Sequence, residues 1–281
     1  MSRHVAIVTD STAYLPPEAM ERHGIIAVPL TVVLGDQALE DGTELSAREL
    51  ASALQKRRPV TTSRPSPEVF AAAYRAAADA GASGIVSLHL SAEMSGTYDA
   101  ALLASKDAPV PVRVVDTQMV AMALGFCALE AAETVVEGGS LDEAVAAAEK
   151  RAAGTSAYFY VDTLDYLRRG GRIGAAQALL GSALAVKPLL RLESGRIEPL
   201  EKVRTASKAI ARLEEIVAEA AGSTRVDVAV HHLAASERAE RLAERLRERV
   251  PGLVDLHVSE VGAVIGAHTG PGLLGAVVSP R

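Results

Sequence analysis

Short, continuous apolar runs alternate with helix-forming segments through the first half of this chain, and that alternation restricts the fold more than any other feature. Val5-Ala-Ile-Val8, Gly84-Ile-Val-Ser-Leu-His-Leu90 and Val112-Arg-Val-Val115 read as buried strands. Helix signals lie between them. Pro16-Pro17 opens a short helix ending at Gly24, and Ser46-x-x-Glu49 is a capping box that starts a helix running to about Arg58. Ser66 with Pro67 starts a helix over 68–80 closed by Gly81, and Asp99 to Lys106 has helical composition. A long apolar helix ends at Gly138-Gly139, and a second capping box, Ser140-x-x-Glu143, starts a helix ending near Gly154. Ile25 to Leu34 reads as one more strand, broken at Gly35-Asp36, with a turn at Asp41-Gly42. The order predicts a doubly wound, mostly parallel sheet over 1–154.

After Gly154 the pattern changes. Ser156 to Val161 is an aromatic-rich strand, Leu164 to Leu167 a helical turn, Arg168-Arg-Gly-Gly-Arg172 a basic loop, and Ala175 to Ala185 a helix. Lys187 to Leu192 and Arg196 to Arg204 flank Ser194-Gly195 as a hairpin. An amphipathic helix from Thr205 to Ala221, strand 226–230, helix 236–249, strand 253–258 and strand 274–278 complete a second α/β domain over 155–281, with a mixed sheet.

At 281 residues the chain has room for two such domains. The hydrophobic fraction is 49% with only 3% aromatic residues, so the cores must be layers of Ala, Val and Leu. A formal net charge of −6 with mixed signs argues against a nucleic-acid partner. Cys127, amid Ala and Leu, reads as an inert core thiol with no disulfide partner. The N-terminus runs into a strand without a leader pattern, and no apolar run reaches the roughly 18 residues that span a bilayer. A soluble, cytoplasmic protein is expected.

Polar residues gather where strands end. Asp10, after the first strand, suits a metal ligand, a general base or a cap, the cap being favoured. Ser95-Gly96-Thr97-Tyr98 lies where a strand has ended and a helix begins. There, unpaired N–H groups and the helix dipole suit a phosphate or carboxylate, with Gly96 admitting the ligand to the backbone. From this stretch alone the favoured reading of Ser95 is a plain N-cap. Thr61-Thr62-Ser63 put adjacent hydroxyls in an extended segment, which is either a solvated loop or, facing the Ser95 turn, half of an anion cradle. His268, beside Thr269 in a glycine-rich loop, suits hydrogen bonding to an anion. His4, His23, His89, His231, His232 and His257 read as structural. No zinc spacing, nucleophile elbow, phosphate-binding loop or dinucleotide fingerprint is present.

Val8-Thr-Asp-Ser-Thr12, Thr62-Ser-Arg-Pro65, Ser95-Gly-Thr-Tyr98, Val161-Asp-Thr-Leu-Asp-Tyr-Leu-Arg-Arg-Gly-Gly-Arg172, Lys202-Val-Arg-Thr205 and Gly266-Ala-His-Thr-Gly-Pro-Gly272 occur in this order. That set resembles the DegV family, the fatty-acid-binding subunits of bacterial fatty acid kinase. The resemblance implies two α/β domains with one long-chain fatty acid, of palmitate or oleate type, in an apolar tunnel at their interface. It implies that Thr62, Ser95 and His268 bind the carboxylate, with Thr61, Ser63, Gly96, Thr97 and Thr269 in support. It also implies that Arg204, with Arg172, docks a separate kinase catalytic subunit. That partner carries ATP and Mg and converts the acid to an acyl phosphate for phospholipid synthesis. The chain then has no catalytic residue, cofactor or metal of its own, and makes at most transient contact with a membrane surface. No packing role is evident for Lys202–Thr205. Two other readings are a stand-alone lipid carrier or sensor and a Ser95/His268 acyl transferase or hydrolase.

Overall fold

A computed structural model describes residues 4–42, 44–180 and 187–281. The chain forms two compact units, one of residues 1–31 and 63–154, the other of residues 32–62 and 155–281. The segment 32–62 groups with residues 155–281.

In the first unit, β1 (His4–Asp10), β2 (Ile26–Val28), β6 (Ala82–His89) and β7 (Val112–Asp116) form a wholly parallel sheet in the order β2-β1-β6-β7. Six of the seven β1 residues are buried, as a doubly covered strand requires. Ala6 and Val8 face a core with Phe70 and Tyr74 of α3 (Pro67–Asp79) and Ala100, Ala101 and Ala104 of α4 (Thr97–Ser105). Val5 and Ile7 alternate to the other side, where α5 (Met122–Val136) packs on β1 and on α6 (Leu141–Gly154). α1 (Pro17–His23) connects β1 to β2 and ends on Gly24 in the left-handed region.

The expected strand Ile25–Leu34 is two strands in different sheets. Pro29 has no N–H for a ladder, and Leu30 N–H turns away to donate to Ser11 Oγ at 3.1 Å. Beyond it, β3 (Thr31–Leu34) turns tightly through Gly35-Asp36 into β4 (Gln37–Glu40), and β5 (Val60–Ser63) adds to give a small sheet in the order β4-β3-β5. The Thr61–Ser63 segment, expected as a loop, is therefore a strand. Between β4 and β5 lies α2 (Ala47–Gln55), whose capping box forms: Glu49 N–H donates to Ser46 Oγ and Ser46 N–H to Glu49 Oε2.

The rest of the second unit centres on a mixed sheet in the order β10-β9-β8-β13-β11-β12. Its strands are β8 (Ser156–Tyr160), β9 (Lys187–Glu193), β10 (Arg196–Val203), β11 (Val226–His232), β12 (Leu253–Glu260) and β13 (Leu274–Pro280). Only β11 and β12 pair in parallel. The β9–β10 hairpin turns through Ser194 and Gly195, both at positive φ (49° and 75°), as a type I′ turn demands. α8 (Ala206–Ala221) and α9 (Ser236–Arg249) cover one face through Ala209, Leu213, Val217, Leu242 and Leu246. The short helix α7 (Asp165–Arg169) precedes a 3-10 turn, Gly174–Leu179, where an α-helix was expected; the remainder of that expected helix, 181–185, lies outside the described residues. α10 (Ala263–Thr269) carries His268. Among the described residues no helix is long and apolar enough to cross a membrane.

Candidate functional site

Of the sequence-predicted residues, the structure joins Thr62 and His268 directly. Alternation along β5 leaves Thr61 and Ser63 exposed and turns Thr62 to the opposite, half-buried side. There Thr62 Oγ1 lies 2.8 Å from His268 Nε2. His268 sits on a helix and not in the expected loop. Gly266 costs α10 helical propensity, but a Cβ there would lie 2.5 Å from Leu50 of α2, so close packing of the two helices repays it. Asp41, at the end of β4, accepts Val264 N–H at 3.2 Å and places its carboxylate at the start of α10. Thr269 is buried and donates to Ile265 O at 3.0 Å, so its hydroxyl proton is already used.

The electrostatics of His268 fix what Thr62 can do. Burial, then the positive charge of Arg172, push the imidazole down to about 4, so it is neutral at pH 7. Its Nδ1 is buried, has no hydrogen-bond partner among the described residues and faces Gly170, where an added Cβ would come within 2.0 Å of it. An orphaned lone pair is cheaper to bury than an orphaned N–H. The tautomer assigned on that ground carries its proton on Nε2 and donates to Thr62 Oγ1. The Thr62 O–H is then free to donate outward, to an anion. Arg172 itself donates to Gly170 O, on the loop that walls the imidazole.

Ser95 belongs to the first unit. Its N–H donates to Ser91 O at 3.1 Å, Glu93 N–H donates to Ser91 Oγ at 3.2 Å, and Ser91 N–H donates to Met119 O at 2.9 Å. The segment that receives this last bond is strained: Gln118 and Ala121 adopt positive φ of 55° and 58°. The N-cap of α4 is Gly96 and no side chain caps the helix, so Ser95 is not the expected N-cap. Ser95 Oγ instead lies 2.8 Å from Thr97 Oγ1, leaving one of the two hydroxyl protons to be donated elsewhere. Arg64 was missed by sequence reasoning, although it lies inside Thr62-Ser-Arg-Pro65. Its guanidinium donates to Gly96 O at 3.3 Å and fills the space a Cβ on Gly96 would need. Asp10 is a cap as favoured, accepting Thr12 N–H at 3.1 Å.

Arg204 is exposed between β10 and α8. Its neighbours do have structural work: Val203 packs on the core, and Thr205 caps α8 by accepting Lys208 N–H at 3.3 Å.

The model of the DegV family, described as an uncharacterised protein family, matches residues 4–281. A DegV domain-containing protein of Streptomyces coelicolor is 81% identical over 281 residues, covering 100% of both chains. Protein DegV of Bacillus subtilis is 38% identical over 278 residues, covering 97% of this chain and 98% of its own. Among solved structures, a Thermus thermophilus DegV family protein described by its fatty acid binding superposes with a TM-score of 0.94 at 35% identity, over 99% of this chain and 100% of its own. The Bacillus subtilis DegV, described as a fatty acid binding protein, gives 0.91 at 35% identity over 100% of both chains. Likeness that runs the length of the sequence and of the fold has one meaning: the chain belongs to the DegV family.

Proposed function

We propose that this chain binds one long-chain fatty acid, its carboxylate accepting hydrogen bonds from Thr62, Ser95 and the His268 region, and presents it to a separate ATP-dependent kinase subunit. The observation that carries the reading is the Thr62–His268 pair, 2.8 Å apart; with the tautomer assigned above, the neutral imidazole donates to Thr62 and leaves the threonine hydroxyl to donate to an anion. Ser95, on the first unit, is proposed as a second hydroxyl donor because it is spared from capping α4. The fatty acid binding described for the relatives from Thermus thermophilus and Bacillus subtilis supports the ligand class.

Magnitudes divide the labour. Each CH₂ taken from water contributes about 0.8 kcal/mol, so the acyl chain supplies most of the affinity. A hydrogen bond to a charged group contributes about 1.5–3 kcal/mol, enough to select a carboxylate over an ester or alcohol. Removing a hydroxyl should therefore weaken binding about 10- to 150-fold without abolishing it.

Mass spectrometry of the organic extract from purified protein tests the ligand, with Thr62→Val and Ser95→Ala in parallel. A stoichiometric long-chain fatty acid, reduced in both variants, supports the reading. An empty wild-type protein that takes up neither palmitate nor oleate refutes it. The kinase step is proposed from the resemblance of Lys202-Val-Arg-Thr205, with exposed Arg204 and the Arg172 loop as the docking residues. ATP and Mg would sit on the partner. Arg204→Ala should lower acyl phosphate formation by a purified partner kinase while leaving fatty acid binding intact; equal turnover would return the protein to a stand-alone carrier.

A further inference from the structure

The first unit contains a line of buried polar side chains that the carboxylate site does not use. Tyr74 OH donates to Ser87 Oγ at 2.9 Å, Ser87 Oγ lies 2.7 Å from His89 Nε2, and His89 Nδ1 lies 3.1 Å from Asp10 Oδ2. All four residues are 0% exposed. The same Asp10 oxygen accepts Leu90 N–H at 3.0 Å, while the other accepts both Thr12 N–H, at 3.1 Å, and the Thr12 hydroxyl, at 2.6 Å. The order Ser–His–Asp is that of a hydrolytic triad, but Ser87 lies inside β6, paired on both sides by β1 and β7, and nothing reaches it from solvent. Its chemistry is not nucleophilic.

A carboxylate only accepts, so His89 Nδ1–H donates to Asp10, and Nε2 is left to accept from Ser87, which accepts from Tyr74. The line therefore has one direction and two ends. One end fixes Leu90, the last residue before the Ser91–Gly96 turn. At the other, Tyr74 OH also lies 3.4 Å from Ala101 O in α4, the helix that follows the turn.

We infer that Asp10, His89, Ser87 and Tyr74 are positioning residues for Ser95: they clamp the strand before its turn and the helix after it, and so set where its hydroxyl points. This inference rests on the proposed role of Ser95 toward a carboxylate.

The test compares palmitate with hexadecanol, which shares the acyl chain and lacks the carboxylate, on delipidated wild type, Asp10→Asn, His89→Gln, Tyr74→Phe and Ser95→Ala. Asp10→Asn should weaken palmitate about tenfold and leave hexadecanol within about twofold, as Ser95→Ala should, because only the headgroup contact is displaced. His89→Gln, which can still donate to Asp10, should recover most of the palmitate affinity. The Asp10→Asn/Ser95→Ala double variant should be no worse than the single ones. Tyr74→Phe makes the same comparison at the far end without touching a charge, should Asp10→Asn not fold. Equal losses for both lipids, or no loss for either, overturn the inference while Ser95→Ala still discriminates between them. A Ser95→Ala protein that does not discriminate overturns the carboxylate role beneath it.

Discussion

His268 gives the most exacting test of the electrostatics. Its imidazole falls from 6.5 to about 4 on folding, first through burial and then through Arg172. An unfolded chain takes up that proton as pH drops through about 6.5, whereas the folded protein waits until about 4. Across that window the unfolded state holds more protons, so the contribution is fully present above 6.5 and is lost as pH falls. At about 1.4 kcal/mol per pH unit, the loss between pH 7 and pH 4 is about 3 kcal/mol. His268→Gln keeps a side-chain N–H for Thr62 and cannot titrate. Urea unfolding of ligand-free wild type and variant at half-unit pH steps should show their stability gap moving by about 3 kcal/mol in the variant's favour as the solution is acidified. His231, also pushed down to about 4 by burial, titrates in both proteins and cancels. Two parallel curves would refute the argument, because they would mean that His268 has the same proton affinity folded and unfolded. A gap moving the other way would mean that a carboxylate, not burial, governs it.

Other perturbations probe the supports of the site. Gly170→Ala places a methyl 2.0 Å from His268 Nδ1 and should swing the ring off Thr62, lowering palmitate affinity about tenfold while circular dichroism is unchanged; retained affinity would count against the pair. Asp41→Ala removes the carboxylate at the start of α10 and should cost about 1–2 kcal/mol in chemical denaturation, with a loss under about 0.5 kcal/mol contradicting the tertiary cap. Ala121→Gly relieves a φ of 58°, and, since strain of about 1–3 kcal/mol exceeds the added chain entropy of about 0.4–1, its melting temperature should rise. The Cys127 thiol is pushed up to about 12 by burial, so Ellman's reagent at pH 8 should react with it only after denaturation; rapid reaction in the folded protein would show an open path to α5.

What the sequence could reveal follows from how local each signal is. Both capping boxes form, with Ser140 and Glu143 reciprocating as Ser46 and Glu49 do, because a capping box is complete within four residues. The parallel strands were legible because a doubly covered strand is apolar throughout. The small sheet was not: Gln37–Glu40 and Val60–Ser63 are polar and mostly exposed, and only pairing with β3 makes them strands. Pro29 was visible but its consequence was not, since a ladder break within a strand and a departure to another sheet look alike in sequence. At the site, residue types announced Thr62 and His268 as candidates. Their contact did not show, and neither did the absence of a cap on α4 or the backbone carbonyl under Arg64. Each of these depends on where distant segments meet.

That distance has a temporal side. Thr62 and His268 are 206 positions apart. At a synthesis rate of roughly 5–20 residues per second, β5 leaves the ribosome about 10–40 s before its partner histidine exists. Through that interval Val60–Ser63 has β3, made before it, to pair with, and as an end strand in the order β4-β3-β5 it presents an edge to which another strand can add. Exposed Lys56-Arg57-Arg58-Pro59 stands immediately before it. Three like charges and a proline oppose the stacking of identical strands on neighbouring polysomes. The same stretch that follows α2 in the finished protein thus opposes edge pairing during synthesis, ahead of a strand that waits for its histidine.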